Sequence, residues 1–264
     1  MSKTPLEPES PLWEDATPRP RTPWVTYGVL VVCVAVWAGI WYSGDPDSEE
    51  VLYRHGYADA WEIWDGAWWS LITSAFVHVD LIHVFFNMYW LWILGRVLER
   101  SIGPARSLGL IVLTAFVSSA APLSISEDTG LGFSGVGYAV FGFMWLARPR
   151  YPSFAVAVDS WVVLVFLGWL VWGFAGGLGD IGNIAHLCGL LCGGLLAHAT
   201  SRTPKRTPAI AAITLLTLAS FVPLFWMPWS PWWTTYKGVQ AHYDEENLEE
   251  AITWYRKALE LGPY

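Results

Sequence analysis

Long apolar runs limit what this chain can fold into more than any other feature. Seven such runs cover residues 24–42, 80–99, 105–123, 133–147, 161–174, 184–199 and 209–227. The chain is 54% hydrophobic and 14% charged, a balance that is rare among soluble domains. Runs of this length are typical of helices that span a lipid bilayer. The sequence therefore predicts an all-α membrane protein with several crossings.

Composition also narrows the classes of partner. The chain carries a net charge of −8, which argues against nucleic acid as a ligand. Cys33, Cys188 and Cys192 all lie in apolar runs, so no disulfide framework is indicated. No cofactor is predicted. Residues 1–23 are polar, rich in proline and unlike a cleavable signal peptide, so we expect a disordered cytoplasmic tail.

Basic residues mark one side of the predicted bundle. They are Lys3, Arg19, Arg21, Arg96, Arg100, Arg106, Arg148, Arg150, Arg202, Lys205 and Arg206. The acidic loops fall on the opposite side. Because cytoplasmic loops are enriched in lysine and arginine, we expect a cytoplasmic N-terminus. After seven crossings the C-terminus would be extracytoplasmic, most simply across a plasma (inner) membrane.

The fourth run begins with a serine between glycines, Ser134. A helix over residues 133–147 is about 22 Å long at ~1.5 Å per residue, shorter than a hydrocarbon core of about 30 Å. Because Arg148 and Arg150 hold its far end at one surface, this helix is predicted to begin below the other surface. Ser134 then lies at a submerged helix N-terminus, whose free N–H groups can stabilise an anion. The motif alone more often marks a helix cap than a nucleophile.

A histidine in the sixth run, His186, is a candidate base for Ser134. Small residues form a strip beside each of them: Gly135, Ala139 and Gly142 in one run, Gly189 and Gly193 in the other. Such strips let helix backbones approach closely in lipid. If the strips meet, the imidazole comes within reach of the hydroxyl proton. A simple hydrogen bond between helices is the alternative interpretation of the histidine.

The second run carries more polar groups near its predicted N-cap, Asp80. His83 and Asn87 are four residues apart and share a helix face. They could donate hydrogen bonds to an oxyanion together with the backbone N–H of Ser134, or they could join helices as polar contacts. His78 is predicted to orient a loop rather than to take part in chemistry.

Two further interpretations concern the same region. A metal site built from His78, His83 and His186 is disfavoured because no HExxH-type spacing is present. We therefore predict no metal. Tyr138, one turn after Ser134, is either a core residue or a wall for an imidazole.

The remaining segments differ from the apolar runs. In the acidic first loop, Trp61, Trp64 and Trp68 are spaced as one face of a helix lying in the membrane interface. Residues 231–264 are charged and amphipathic. Their second half matches a tetratricopeptide repeat in Glu250-Ala251-Ile252, Tyr255, Lys257-Ala258-Leu259 and Pro263, although Gly238 lies one residue from its expected place. One repeat cannot bury its own apolar face, so this hairpin should dock on the membrane domain, another copy or a protein partner.

Three of these patterns together resemble the rhomboid family of intramembrane serine proteases. The matching motifs are His78-x4-His83-x3-Asn87, Gly132-Phe133-Ser134-Gly135 with Tyr138, and Ala185-His186-x2-Gly189-x3-Gly193; Gly95-x3-Glu99 matches the end of the family's second helix. Each motif is loose alone, but three in the expected runs and order are highly specific. The resemblance implies a six-helix core over residues 24–203 and a seventh helix over 204–230, the 6+1 arrangement.

The resemblance also implies a function. Ser134 and His186 would form a catalytic dyad without an acidic third member, with His186 stacked on Tyr138. His83, Asn87 and the Ser134 amide would form the oxyanion hole, and the substrates would be transmembrane segments of other proteins.

The sequence departs from the family pattern at one position and leaves two alternative functions. The family's common Trp-Arg pair is Trp69-Ser70 here, which removes a charged anchor of the first loop. An inactive rhomboid-like binder of membrane clients is the closest alternative, but such relatives usually lack the serine or the histidine. A transporter would be expected to show inverted repeats or paired broken helices, and the sequence shows neither.

Overall fold

The computed structural model describes residues 22–126, 129–176, 182–243 and 246–262. Four helical segments are long and apolar enough to cross a membrane: Trp24–Ser43, Leu81–Ile102, Pro104–Ile125 and Arg206–Phe225. Three shorter apolar helices accompany them: Ser134–Ala147, Ser160–Phe174 and Asn183–Ala199. All regular elements in the described ranges are helical, so the predicted all-α class is confirmed.

The helices of the described ranges are α1 Trp24–Ser43, α2 Glu49–Arg54, α3 Ala60–Trp64, α4 Ser70–Thr73, α5 Leu81–Trp90, α6 Arg96–Ile102, α7 Pro104–Ser126, α8 Ser134–Ala147, α9 Pro152–Ala157, α10 Ser160–Phe174, α11 Asn183–Ala199, α12 Arg206–Ala219, α13 Val222–Phe225, α14 Pro231–Tyr243 and α15 Leu248–Leu261. A 3-10 turn, Ser74–Phe76, follows α4, and a π turn, Leu91–Gly95, joins α5 to α6. Most of the predicted tail, parts of the loops before α8 and α11, and Pro263 lie outside the described residues.

Carboxylates hold the starts of three apolar helices. Asp80 accepts a hydrogen bond from the His83 N–H at 2.7 Å, which confirms the predicted N-cap of α5. Asp159 caps α10 in the same way. Glu99 of α6 is buried and accepts from the N–H groups of Val25 and Thr26 at 3.0 and 2.8 Å, because the first turn of α1 leaves those donors free. Glu99 therefore ties the first two long helical segments together.

The predicted interfacial helix carrying three tryptophans is wrong. α3 ends at Trp64, and Gly66 follows with a φ of 113°, a left-handed conformation that turns the chain. Trp64 is 8% exposed whereas Trp68 is 48% exposed, so they do not share one helix face. Instead of facing a membrane interface, the Trp64 side chain is buried against the C-terminal part of the chain.

The seventh apolar run is not one helix. α12 ends at Ala219, and the short α13 follows after a break. Pro223 has no N–H to donate to the carbonyl four residues earlier, so an uninterrupted helix would lose a hydrogen bond here. The predicted seventh span over residues 209–227 thus corresponds to the segment Arg206–Phe225, interrupted between α12 and α13.

The C-terminal hairpin of α14 and α15 docks on the membrane domain, one of the outcomes expected from sequence. Trp233 of α14 is buried in an apolar cluster with Trp64 and Leu224. Within the hairpin the helices approach closely at Gly238, where a Cβ would lie 2.6 Å from the Tyr255 ring.

The core is built around α8. Ten of its side chains or glycines are buried: Gly135, Val136, Tyr138, Ala139, Val140, Phe141, Gly142, Phe143, Met144 and Ala147. Its closest neighbour is α11. A Cβ on Gly189 would overlap the Gly135 carbonyl oxygen, and one on Gly193 would overlap the Ala139 carbonyl oxygen. The structure thus brings the two strips of small residues into backbone contact.

This contact predicts different effects for two glycine substitutions. Gly189→Ala places a methyl group against a backbone carbonyl and should lower the free energy of unfolding by about 1–3 kcal/mol. Gly137→Ala on α8 is the matched control, because a Cβ there meets no atom within 4 Å. It should change stability by no more than about 1 kcal/mol. Unfolding of both variants in mild detergent measures the difference, and equal stability would contradict the backbone contact.

Candidate active site

A glycine turn and a helix start position Ser134. Gly132 has a φ of 103°, a conformation that few other residues adopt. A Cβ at Gly132 would also lie 2.6 Å from the His83 Nε2. Both the backbone conformation and the available space therefore favour glycine at this position. Ser134 is the first residue of α8, where the N–H groups of the opening turn have no partner within the helix. The serine therefore sits beside donors that can face a ligand.

His186 on the first turn of α11 approaches this serine. The His186 Nε2 lies 2.8 Å from the Ser134 Oγ, a normal hydrogen-bond distance. The imidazole is 3% exposed, and its Nδ1 has no hydrogen-bond partner among the described residues. With Nε2 unprotonated, this arrangement allows the serine hydroxyl to donate its proton to the ring as the oxygen attacks an electrophile.

Tyr138 holds the imidazole from one side. The two rings are stacked, with centroids 4.6 Å apart and planes inclined by 23°. The Tyr138 hydroxyl donates a hydrogen bond to the Phe166 carbonyl oxygen of α10 at 2.9 Å. Because that bond fixes the phenol ring, the wall against which His186 rests is fixed as well.

His83 and Asn87 lie on α5 near the same loop. The His83 ring lies beside Gly132, and its centroid is 5.0 Å from that of His78. Asn87 donates one side-chain N–H to the His83 carbonyl oxygen at 3.0 Å. An asparagine amide carries two N–H donors, so one remains for a ligand. The structure brings His83 to the serine loop and directs one Asn87 donor back into its own helix.

His78 lies in the position expected for a group that orients a loop. It is fully buried, and its Nε2 accepts a hydrogen bond from the Phe133 N–H at 3.2 Å. Phe133 directly precedes the serine. His78 therefore holds the backbone from which the Ser134 side chain projects.

Sequence reasoning missed Ser74, whose backbone supports this loop. The Ser74 carbonyl oxygen accepts from the Gly132 N–H at 3.0 Å, and its side chain lies 3.2 Å from the Ser119 hydroxyl. Ser118, on the same part of α7, would lie 2.7 Å from a Cβ on Gly135. The available signal was a group of buried hydroxyls within the apolar run of α7.

In the described part of the chain no three His, Cys, Asp or Glu side chains are grouped to hold a metal ion.

Comparisons with known proteins agree on one family. A family model described as the Rhomboid domain matches residues 65–203, more than half of the chain. The rhomboid protease GlpG of Yersinia pseudotuberculosis serotype I (strain IP32953) is 31% identical over 185 residues, which cover 69% of this chain and 65% of that protein. GlpG of Serratia proteamaculans (strain 568) is 32% identical over 189 residues, or 67% of this chain and 63% of that protein.

These alignments span just under two thirds of the relatives' own length. The family match ends at residue 203, before the C-terminal hairpin. Assignment of that hairpin to the tetratricopeptide repeats stays a prediction from its residues.

Proposed function

This chain belongs to the rhomboid family, and from that membership we propose that it is an intramembrane serine endopeptidase. It is an integral membrane protein, as its apolar helices and its family indicate. The proposed substrates are transmembrane segments of other membrane proteins. The observation that carries the proposal is the 2.8 Å contact between the Ser134 Oγ and the His186 Nε2.

The proposed reaction begins with attack of Ser134 on the scissile carbonyl carbon. The hydroxyl proton passes to the His186 Nε2 as the new C–O bond forms. The resulting oxyanion accepts hydrogen bonds from the Ser134 N–H and from the side chains of His83 and Asn87. Its collapse breaks the C–N bond, and His186 returns the proton to the leaving amine. A water molecule, deprotonated by His186, then hydrolyses the acyl-enzyme and releases the serine.

Tyr138 takes the orienting role in this proposal that an acidic residue fills in a triad. The stacked ring and its bond to Phe166 restrict the imidazole without adding a charge. A dyad of this kind suits a site within a membrane domain, where a buried carboxylate would need its own partners.

The proposed topology follows the positive-inside rule. It divides the chain into a cytoplasmic tail (1–23), a six-helix core (24–203), a seventh crossing (204–230) and an extracytoplasmic hairpin (231–264) in a plasma (inner) membrane. The hairpin would then share a side with Ser134 and is a candidate site for a protein partner.

Labelling with a fluorophosphonate probe tests the proposed chemistry. The unmodified protein should be labelled at Ser134, because an activated serine attacks phosphorus as it attacks a carbonyl. Ser134→Ala should abolish labelling, and His186→Ala should reduce it strongly. Labelling measured by gel fluorescence and located by mass spectrometry decides the outcome. Equal labelling of all three proteins would contradict the protease function and favour a non-catalytic binder of membrane clients.

Turnover of a model transmembrane substrate tests the oxyanion donors. His83→Ala and Asn87→Ala should each lower kcat by roughly 10²-fold or more, because each removes a hydrogen bond that is strongest in the transition state. Cys188→Ala on α11 is a control outside the proposed site. Full turnover in both donor variants would assign the oxyanion to the backbone N–H alone.

A reporter fused after Tyr264 tests the topology. An odd number of crossings with a cytoplasmic N-terminus predicts that an extracytoplasmic reporter, such as a phosphatase, becomes active. A cytoplasmic reporter at the same position should stay inactive. The opposite pair of results would mean that the α12–α13 segment does not cross the membrane.

A further inference from the structure

The C-terminal hairpin (α14 and α15) and the first loop (residues 44–69, between α1 and α4) share one buried cluster. Its members include Ile63 and Trp64 of the loop, Leu71 of α4, Leu224 and Met227 before the hairpin, and Trp233 of α14. The Trp64 indole N–H donates to the Pro223 carbonyl oxygen at 3.0 Å, and the Tyr236 ring lies 5.5 Å from the Trp64 ring. The hairpin therefore holds the loop by packing, and the hydrogen bond comes from α13, directly before the hairpin.

The first loop is in turn bonded to α4. Ser70 is fully buried, and its hydroxyl accepts a hydrogen bond from the Ala58 N–H at 2.8 Å. The Thr73 hydroxyl donates to the Gly56 carbonyl oxygen at 2.5 Å. A short helix with bonds at both ends to the same loop must move with that loop.

The residues after α4 reach the serine. The Ser74 carbonyl oxygen accepts from the Gly132 N–H, and His78 accepts from the Phe133 N–H. The next residue is Ser134. A continuous set of contacts thus joins Trp233 of the hairpin, through the first loop and α4, to the backbone that presents the nucleophile.

We propose that the C-terminal hairpin is a positioning element for the active site, with Trp233 as its anchor. This inference rests on the proposed function of Ser134. The hairpin contributes no group to the reaction. It holds the first loop and α4 in the position that keeps the Gly132–Ser134 segment aligned with His186 on α11. Catalytic rates depend steeply on such alignment, because a displacement of about 1 Å can cost roughly 10²-fold.

The experiment compares two adjacent tryptophans of α14 in the full-length protein in lipid nanodiscs. Trp233→Ala removes the anchor, whereas Trp232→Ala changes a 41% exposed neighbour outside the cluster. The rate of fluorophosphonate labelling at Ser134 should fall about tenfold or more in the first variant. It should stay within about twofold in the second. Trp233→Phe, which keeps an aromatic ring in the cluster, should recover most of the rate.

Two readouts separate positioning from a general loss of stability. Hydrogen exchange of the Gly132 amide should accelerate in Trp233→Ala, while α8 and α11 amides keep their protection. Trp233→Ala added to Ser70→Ala should cost much less than in the unmodified protein, because both substitutions act on the site through the same loop. Tyr236→Ala replaces Trp233→Ala in every arm if the latter does not accumulate as folded protein.

The outcomes are distinct. If the unmodified protein is labelled and the hairpin variant is labelled at the same rate, the positioning role is overturned. The same holds if the effects of Trp233→Ala and Ser70→Ala multiply. If the unmodified protein is not labelled at Ser134, the proposed protease function fails, while exchange at Gly132 still reports whether the hairpin holds the loop.

Discussion

The backbone contact between α8 and α11 sets the geometry of the candidate active site. Gly189 and Gly193 lie against the carbonyl oxygens of Gly135 and Ala139, so the two helices are as close as backbones allow. Ser134 lies one residue before Gly135, and His186 lies about one turn before Gly189. The close approach therefore makes the two side chains face each other. In a membrane there is little hydrophobic driving force between helices, and small residues permit the dispersion contacts that replace it. The hydrogen bond between Ser134 and His186 is a consequence of that packing.

The other structures around the site orient groups that this contact has already brought together. Tyr138 fixes the imidazole plane, and His78 and Ser74 hold the loop before the serine. Each uses a short-range bond to the backbone or a ring contact rather than an ion pair. The first loop and the hairpin extend this support to a part of the chain beyond the family match. In the proposed role, a segment outside the family match influences the chemistry without touching the reacting groups.

Much of the fold was predictable because its signals are local. Apolar runs predict the helices, Asp80 predicts the start of α5, and the spacing of glycines indicates which helix faces meet. The same spacing placed Ser134 near His186. The predictions that failed concern features that depend on contacts between residues far apart in the sequence. Trp64 is buried by α13 and α14, so its spacing with Trp68 did not indicate an interfacial helix. The hydrogen bond between Ser70 and Ala58 joins the short helix α4 to a loop that has no periodic pattern.

The labelling rate of Ser134 in the Gly189→Ala and Gly137→Ala variants is the most direct measurement of whether the helix contact builds the site. If close approach of the backbones brings the serine to the histidine, Gly189→Ala should fall toward the rate of the protein without the imidazole. Gly137→Ala should keep the rate of the unmodified chain, because its added methyl group meets open space. Unchanged labelling of Gly189→Ala would contradict the account, since the hydroxyl would then be activated without the contact.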